Sequence, residues 1–305
     1  MVEIIPELKN ISIDTWDQPS FRSLQLQVDI LRLDKIHPEI SGNKWFKLKY
    51  YLEAARLSKK KTLVSYGGAY SNHILAVSAA AAIYGFSSIG YIRGEEPTTP
   101  SPLLKAAKEF GMRLHFLSRL HYDQEKNSMT INNIQDINND SLFIPEGGSG
   151  FEGVRGAEEI LSTVPTHMYS HICCAVGTGT TLAGLINSSA SHQNIIGVSI
   201  LKGTKDLEPL NISWIRNTTS LNKVQIIHED HFGGYARKSK SLLDFMNVVY
   251  TNSGIPTDFV YSGKLFYSIN RISALNFFPE GSRVLVLHTG GLQGNCSLTP
   301  GILQF

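Results

Sequence analysis

The chain has 305 residues, and its 28 Lys and Arg residues against 26 Asp and Glu residues give a formal net charge of +2. This near balance excludes a strongly basic nucleic-acid-binding protein as the default class and gives no reason to expect an acidic partner. With 42% hydrophobic and 18% charged residues, the composition is that of a globular protein with enough apolar material for a core, and the length predicts about two domains.

Apolar runs of strand length alternate with helical patterns along the chain. The predicted strands are 25–32, 62–66, 88–92, 113–117, 142–144, 171–176, 195–200, 224–228 and 283–288. The predicted helices are 43–57, 71–84, 102–110, 153–162, 180–188, 238–248 and 263–275. The polar, Asn-rich residues 122–140 are predicted to be a surface excursion. Strands and helices that alternate at this length predict parallel α/β layers.

The cysteines and the apolar stretches indicate a cytoplasmic protein. Cys173, Cys174 and Cys296 are too few for a disulfide framework, and no spacing suggests a zinc site, so we expect no metal. The first two lie in an apolar run and are predicted core residues. The amino terminus has no apolar run behind a basic segment, so we expect no signal peptide. The uncharged stretches 62–92 and 160–201 are broken by Gly or Pro, whereas a membrane span needs ~20 apolar residues in one run.

Glycine clusters follow predicted strands at five places in the chain. They are Gly67-Gly68, Gly147-Gly148, Gly177-Thr178-Gly179, Gly233-Gly234 and Gly290-Gly291. Ligands of open parallel sheets bind outside the carboxyl ends of the strands, and glycine lets the backbone approach a ligand closely. The clusters therefore predict one shared ligand crevice.

Lys44 stands in the first turn of a predicted helix, directly after Gly42 and Asn43. The partial positive charge of a helix N-terminus disfavours an ammonium group there and lowers its pKa. A lysine with a lowered pKa suits Schiff-base chemistry. A solvated lysine at a helix start is the alternative interpretation. Lys47 lies one helical turn further on but does not follow an asparagine.

Ser71 and Asn72 open a predicted helix after Gly67-Gly68. Either side chain could be the N-cap, which is the common role of these residue types. The free amides at the same helix start could instead hold a substrate carboxylate. His73, the next residue, could contact a ligand or pack within its helix.

Gly177, Thr178, Gly179 and Thr180 follow the apolar run 171–176. Their amides and hydroxyl groups, at a predicted helix N-terminus, are suited to binding a phosphate group. The loop is not GxGxxG, because the next glycine is Gly184, and it is not a P-loop, because GK[ST] is missing.

Six motifs in this order resemble the 1-aminocyclopropane-1-carboxylate deaminase / D-cysteine desulfhydrase family of pyridoxal-phosphate enzymes. They are Gly42-Asn43-Lys44, Gly67-Gly68 with Ser71-Asn72-His73, Pro145-Glu146-Gly147-Gly148-Ser149, Gly177-Thr178-Gly179-Thr180, Val260-Tyr261-Ser262-Gly263-Lys264 and His288-Thr289-Gly290-Gly291. The resemblance spans roughly residues 31–294. It implies a tryptophan-synthase-β-like α/β fold (fold type II) with two open twisted-sheet domains and the cofactor, pyridoxal 5'-phosphate, between them. The expected large, cofactor-binding domain comprises residues 1–50 and 153–305, and the small domain comprises residues 51–152.

The same resemblance implies which residues bind the cofactor. Lys44 would carry it covalently, and Asn72 would hydrogen-bond its phenolic oxygen. The phosphate would be held by Gly177, Thr178, Gly179 and Thr180. Ser262 and Thr289 would lie near the pyridine nitrogen or the substrate beside it.

Three further residues are expected to act on the substrate. Tyr261 would lie against the pyridine ring or the substrate, and Ser71 would bind the substrate carboxylate or shuttle a proton. Tyr235 resembles a second active-site tyrosine, with a packed aromatic residue beside a glycine turn as the alternative.

Lys49 and Lys264 are predicted to be charges on helix surfaces, and His288 could belong to the core or support the site.

Two positions bear on which reaction is catalysed. Family members that open the cyclopropane ring have Glu after Val-Tyr and Leu before the last Gly-Gly, whereas this chain has Ser262 and Thr289. These neutral hydroxyl groups resemble the desulfhydrase branch. Ala69 and Tyr70 stand where Ile-Gln is frequent, which leaves the substrate preference open.

The resemblance therefore implies a pyridoxal-phosphate dependent lyase that converts D-cysteine to pyruvate, ammonia and sulfide. The alternatives are deamination of 1-aminocyclopropane-1-carboxylate to 2-oxobutanoate and ammonia, or a low-activity relative that binds an amino acid. We expect a small amino acid as the substrate and neither nucleic acid nor a membrane as a partner; a homodimer is left open.

Overall fold

The computed structural model describes residues 8–128 and 139–305, and for residues 125–128 it describes the backbone only. The amino terminus, to which the signal-peptide prediction applies, lies largely outside the described residues. So does the middle of the predicted surface excursion.

Every predicted strand and helix is present, with most ends within two residues of the prediction. The strands are β1 (Ile13–Thr15), β2 (Gln27–Arg32), β3 (Thr62–Gly68), β4 (Ser87–Arg93), β5 (Arg113–Leu117), β6 (Ser141–Ile144), β7 (His171–Val176), β8 (Asn194–Ser199), β9 (Val224–Ile227) and β10 (Arg283–His288). The helices are α1 (Pro19–Arg22), α2 (Asn43–Leu57), α3 (Asn72–Tyr84), α4 (Pro102–Glu109), α5 (Arg119–Ser128), α6 (Phe151–Ala157), α7 (Thr180–Ser188), α8 (Lys240–Ser253) and α9 (Ser262–Ala274).

The structure differs from the prediction at four elements. The sequence patterns did not predict β1 or α1. Helix α5 occupies the first part of the stretch predicted to be a surface excursion. Tyr122 explains why α5 is held in place, because its ring is 1% exposed and its phenol donates to Glu146 Oε1 at 3.0 Å. The helix predicted over 153–162 ends at Ala157, and a separate 3-10 turn follows at Ile160–Thr163.

The strands form two sheets, which confirms the predicted parallel α/β layers. The larger sheet has the order β1-β2-β10-β7-β8-β9, and the smaller has the order β5-β4-β3-β6. All neighbours are parallel except β1, which pairs antiparallel with β2. The chain thus leaves the larger sheet after β2, builds the smaller one, and returns at β7. The boundaries of the two domains within this arrangement stay a prediction.

Helices cover the sheets and bury the strands. Every residue of β7 is buried, including Cys173 and Cys174, which confirms that these two cysteines are core residues. Helix α6 packs directly on α2, and a Cβ atom at Gly156 would lie 1.7 Å from the Phe46 carbonyl oxygen. Only glycine permits that approach. In the described part of the chain, no helix combines the length and apolar character needed to cross a membrane.

Candidate active site

A cavity of about 680 Å³ opens where the carboxyl ends of several parallel strands meet. Its wall includes residues that follow β3, β6, β7 and β10, together with the first turn of α2. Glycines from four of the five predicted loops line it, and the fifth loop contributes Tyr235. The crevice predicted from the glycine clusters is therefore present.

The charges on the wall favour an anionic ligand. The lining residues include the cations Lys44, Lys47, Arg93 and Lys238. Glu146 is the one acid among the described residues that line the cavity. A wall of this composition suits a phosphate group and a carboxylate, which are the two anions that a cofactor phosphate and an amino acid bring.

Lys44 enters the cavity from the first turn of α2. The turn before it is possible because Gly42 has φ 65°, and a Cβ atom there would lie 1.9 Å from the Thr289 carbonyl oxygen. Lys44 Nζ donates to Asn43 Oδ1 at 2.9 Å, and Asn43 Nδ2 donates to Thr181 Oγ1 at 2.9 Å. Burial lowers the pKa of Lys44 to about 8, which Asp258 partly opposes. The lowered pKa was predicted, but its largest cause is burial rather than the helix N-terminus.

Lys47 is a second buried amine in the same wall. It lies one turn further along α2, and its Nζ donates to the Gly147 carbonyl oxygen at 3.3 Å. Burial and the charge of Lys44 lower the pKa of Lys47 to about 7. Gly147 lies beside Thr178, so this amine is close to the candidate phosphate loop. From the sequence, Lys47 was only a rival to Lys44 for the cofactor; the signal for a second site lysine was its position three residues later on the same helix face.

The loop between β7 and α7 forms a compact set of donors. Gly179 is the N-cap of α7 with φ 76°, and a Cβ atom there would lie 2.1 Å from the Pro209 carbonyl oxygen. The Thr178 and Thr180 hydroxyl groups lie 2.9 Å apart. The first amides of a helix have no partner within the helix. These amides and hydroxyl groups together fit a phosphate group.

Ser71 and Asn72 begin α3 on the opposite side of the cavity. Ser71 is the N-cap, and its Oγ accepts from the Ile74 amide at 3.3 Å. Asn72 Nδ2 donates to the Gly291 carbonyl oxygen at 3.2 Å, whereas Asn72 Oδ1 is buried with no hydrogen-bond partner among the described residues. Buried polar atoms normally have a partner. A bound group that presents a donor at this point would satisfy Asn72.

Tyr261 and Tyr235 form an aromatic wall near the amine of Lys44. Lys44 Nζ lies 5.8 Å from the centroid of the Tyr261 ring. The two tyrosine rings meet edge to face, with centroids 6.1 Å apart. Tyr235 is 54% exposed, so the alternative interpretation of a packed aromatic residue does not fit. Burial raises the pKa of Tyr261, so its phenol remains a protonated donor.

Thr289 and Ser262, which were expected together, occupy different environments. Thr289 lines the cavity directly after β10. Ser262 is fully buried and is not part of the cavity wall; its Oγ donates to Asp258 Oδ1 at 2.6 Å. The Asp258 carboxylate also accepts from the amides of Val260, Tyr261 and Ser262, at 2.8–2.9 Å. Ser262 thus stabilises the start of α9, and a contact with the cofactor stays a prediction.

Three more polar residues support the loops of the site. Lys264 is not on the helix surface as predicted, because it is fully buried. His288 is also buried; its Nε2 donates to the Pro256 carbonyl oxygen at 2.7 Å, and its Nδ1 accepts from the Gly290 amide at 3.2 Å. His73 contacts Ser65 Oγ through Nε2 at 2.8 Å. Burial and the charges of two nearby lysines lower the pKa of His73 to about 3, so its ring is neutral.

A model of the family described as pyridoxal-phosphate dependent enzymes matches residues 22–290. Because the match covers most of the chain, the protein belongs to this family. Its cofactor is pyridoxal phosphate. The amides and hydroxyl groups before α7, the Lys44 amine, and the unpartnered Asn72 oxygen, which would accept a hydrogen bond from the cofactor's phenolic hydroxyl, fit that group. Among the described residues, no cluster of three or more His, Cys, Asp or Glu could hold a metal ion.

Within this family, the similar proteins include enzymes named for 1-aminocyclopropane-1-carboxylate deaminase and D-cysteine desulfhydrase activity. The chain is 27% identical to the mitochondrial bifunctional D-cysteine desulfhydrase/1-aminocyclopropane-1-carboxylate deaminase of Arabidopsis thaliana, over 92% of this chain and 76% of the relative. It is also 27% identical to the 1-aminocyclopropane-1-carboxylate deaminase of Rhizobium leguminosarum bv. viciae, over 83% of this chain and 82% of the relative.

The fold is likewise that of known structures. The crystal structure of a homologue of 1-aminocyclopropane-1-carboxylate deaminase superposes with a TM-score of 0.76 at 24% identity, over 96% of this chain and 92% of that chain. The two-sheet α/β architecture implied by the resemblance, fold type II of the pyridoxal-phosphate enzymes, is therefore confirmed.

Proposed function

We propose that this enzyme is a D-cysteine desulfhydrase that releases sulfide, ammonia and pyruvate, with Lys44 as its covalent cofactor lysine and catalytic base. The observation that carries the choice of reaction is the pair of neutral hydroxyl residues that stands where the pattern of ring-opening members has Glu and Leu: residue 262 is serine, and residue 289, in the cavity wall, is threonine. No carboxylate therefore follows Tyr261.

The choice follows from what each reaction requires of the bound cofactor. Pyridoxal phosphate supplies an electron sink for the substrate α-carbon. A carboxylate at the pyridine nitrogen would strengthen that sink, whereas a neutral hydroxyl strengthens it less. Loss of a β-thiolate needs only a modest sink, because a thiolate is a good leaving group. Opening an unactivated three-membered ring has no such leaving group and needs more assistance.

The residues of the cavity divide the remaining work. The Thr178 and Thr180 hydroxyl groups, with Lys47 beside them, anchor the phosphate. Ser71 and the first amides of α3 orient the substrate carboxylate. Burial lowers the pKa of Lys44 to about 8, so a larger fraction of this amine is neutral near pH 7 than of an ordinary lysine, and it can accept the α-proton of the substrate. Tyr261 and Tyr235 cover the reacting groups and keep their phenolic protons available as donors.

Ring opening of 1-aminocyclopropane-1-carboxylate is the second candidate function. Its support is the name of the Rhizobium leguminosarum relative, which is a 1-aminocyclopropane-1-carboxylate deaminase. The Arabidopsis thaliana relative carries both activities in its name. Neither relative exceeds 27% identity, so the names do not separate the two reactions.

The deciding experiment compares kcat/KM for the two substrates on the same preparation. We expect D-cysteine to yield pyruvate and sulfide, with 2-oxobutanoate from the cyclopropane substrate slower by at least about tenfold, which corresponds to ~1.4 kcal/mol. Thr289→Val should lower the D-cysteine rate, and Thr289→Ser, which keeps the hydroxyl, should retain most of it. A clear preference for the cyclopropane substrate would instead establish the deaminase.

A further inference from the structure

A buried lysine of α9 is bound to the segment that carries Tyr235. Lys264 is fully buried, and its Nζ donates to the carbonyl oxygens of His231 at 2.9 Å and Gly234 at 2.7 Å. Both acceptors belong to the main chain. Burying an amine is costly unless it is hydrogen-bonded, and an apolar residue would fill a core position at less cost. The position of Lys264 therefore calls for an explanation beyond packing.

The segment that Lys264 binds has an unusual backbone. Phe232 (φ 51°), Gly233 (φ 93°), Gly234 (φ 111°) and Ala236 (φ 52°) all lie in the left-handed region. Two of these four residues are not glycine, and such residues rarely adopt that conformation. Strained backbone of this kind persists only where its surroundings hold it. The conformation of residues 231–236 therefore depends on outside contacts.

Helix α9 supplies these contacts along one face. Residues 261, 264, 267 and 271 follow a spacing of three or four and so lie on the same side of the helix. The Arg271 guanidinium binds the Asp230 carboxylate at 2.9 Å. The Tyr267 ring packs edge to face on Phe232, with centroids 4.8 Å apart. The segment thus runs along α9 from Arg271 towards Tyr261, with Lys264 between them.

We infer that Lys264 is a positioning residue that holds Tyr235 against Tyr261 at the mouth of the cavity. It acts through the His231 and Gly234 carbonyl groups and does not touch the substrate. Tyr235 directly follows Gly234, so fixing that carbonyl fixes the start of the Tyr235 side chain. This inference rests on the proposed function, because it takes Tyr235 to be a working residue of that site.

A double-mutant cycle on the holoenzyme tests the inference. Tyr235→Phe and Lys264→Met should each lower kcat/KM for D-cysteine by at least about tenfold. The kcat/KM of the double variant should lie within about twofold of that of the less active single variant, because the effects of residues that act through one another are not additive. Lys240→Met is the matched control, because that side chain is 89% exposed, and it should match the wild-type protein. If the loss of kcat/KM in the double variant equals the product of the losses in the two single variants, Lys264 does not act through Tyr235.

Amide hydrogen exchange of the cofactor-free protein gives a second readout that needs no substrate. Lys264→Met should accelerate exchange in residues 231–236 by at least about tenfold and leave the strands of both sheets protected. Unchanged exchange in that segment would contradict the inference. If Lys264→Met does not fold, Tyr267→Leu removes another contact of the same segment and should give the same local effect.

The outcomes separate this inference from the proposed function. Normal turnover of D-cysteine by Tyr235→Phe would remove Tyr235 from the proposed mechanism. Absence of any D-cysteine turnover by the wild-type protein would overturn the proposed reaction. In both cases the exchange experiment still decides whether Lys264 holds the segment.

Discussion

Burial lowers the pKa of three lysines: Lys44, to about 8, and Lys47, to about 7, line the cavity, whereas Lys264, at about 8, does not. Their shared burial explains why a lowered pKa alone does not identify the reactive amine. The acceptors of the three amines differ. Lys44 reaches the side chain of Asn43, Lys47 reaches one main-chain carbonyl group, and Lys264 reaches two. The contacts, and not the pKa values, separate their roles.

These lysines predict how the stability of the cofactor-free protein depends on pH. Their ordinary pKa is 10.5, and the folded values are about 7 to 8. Between about pH 7 and pH 10 the unfolded chain therefore binds more protons, and the free energy of unfolding rises with pH. Each lysine contributes a slope of at most about 1.4 kcal/mol per pH unit. The buried thiols of Cys173 and Cys174, whose pKa burial raises, offset part of this rise above about pH 8.5, and tyrosines with a raised pKa oppose it above about pH 10.

The measurement is the thermal midpoint of the cofactor-free protein at about pH 7 and about pH 9.5. The midpoint should rise with pH, and Lys47→Met should raise the midpoint at the lower pH and flatten the dependence. Lys240→Met, at an exposed site, should keep the wild-type slope. A midpoint that falls with pH, or a Lys47→Met variant as steep as the wild type, would contradict the burial argument.

At the scale of elements, the site is built from units in which a strand, a short loop and a helix follow one another. The unit β7–loop–α7 was predicted with correct ends, because six apolar residues give way at once to Gly177 and Thr178. The unit β3–loop–α3 brings Ser71 to the same cavity. Parallel strands point their carboxyl ends the same way, so such units deliver helix N-termini to one opening.

The loop before α7 predicts how the cofactor is retained. Thr178→Val and Thr180→Val should each weaken binding of pyridoxal phosphate by roughly 1–3 kcal/mol, the usual range for hydrogen bonds to a charged group. Their hydroxyl groups lie 2.9 Å apart, so the two losses should not add fully. Titration of the cofactor into the cofactor-free protein measures the loss of binding free energy in each variant. Thr163→Val, whose hydroxyl donates to the Ile160 carbonyl oxygen, is the control.

Wild-type affinity in both loop variants would show that this loop has another role.

The elements that the sequence did not reveal have physical reasons for escaping prediction. Strand β1 has three residues, which is too short for a recognisable period of two. Its hydrogen-bonded pairing with β2 is what holds these residues in the strand conformation. Helix α5 is polar, and Tyr122 anchors it through a distant partner. Ser262 matched a family motif, yet the hydroxyl is occupied by Asp258, four residues earlier. Contacts of this kind arise only when the chain folds, so the pattern of residues along the sequence does not reveal them.

At the scale of the whole molecule, the site exists only where the two sheets face one opening. Lys44 and Thr178 come from segments next to the larger sheet, whereas Ser71 and Gly147 follow strands of the smaller sheet. The order of the motifs predicted that these residues belong together. It could not predict that Lys264 would be buried, because that depends on how a distant segment folds over α9.

We propose that Lys44 is the lysine that carries the cofactor, and this assignment can be tested by borohydride reduction of the holoenzyme followed by peptide mapping. We expect a pyridoxyl group on Lys44 and no labelled peptide from Lys44→Ala. Lys47 and Lys264 are internal comparisons, because both are also buried amines with lowered pKa values. A pyridoxyl group on either of them, or on no lysine of the wild-type protein, would overturn the assignment of Lys44.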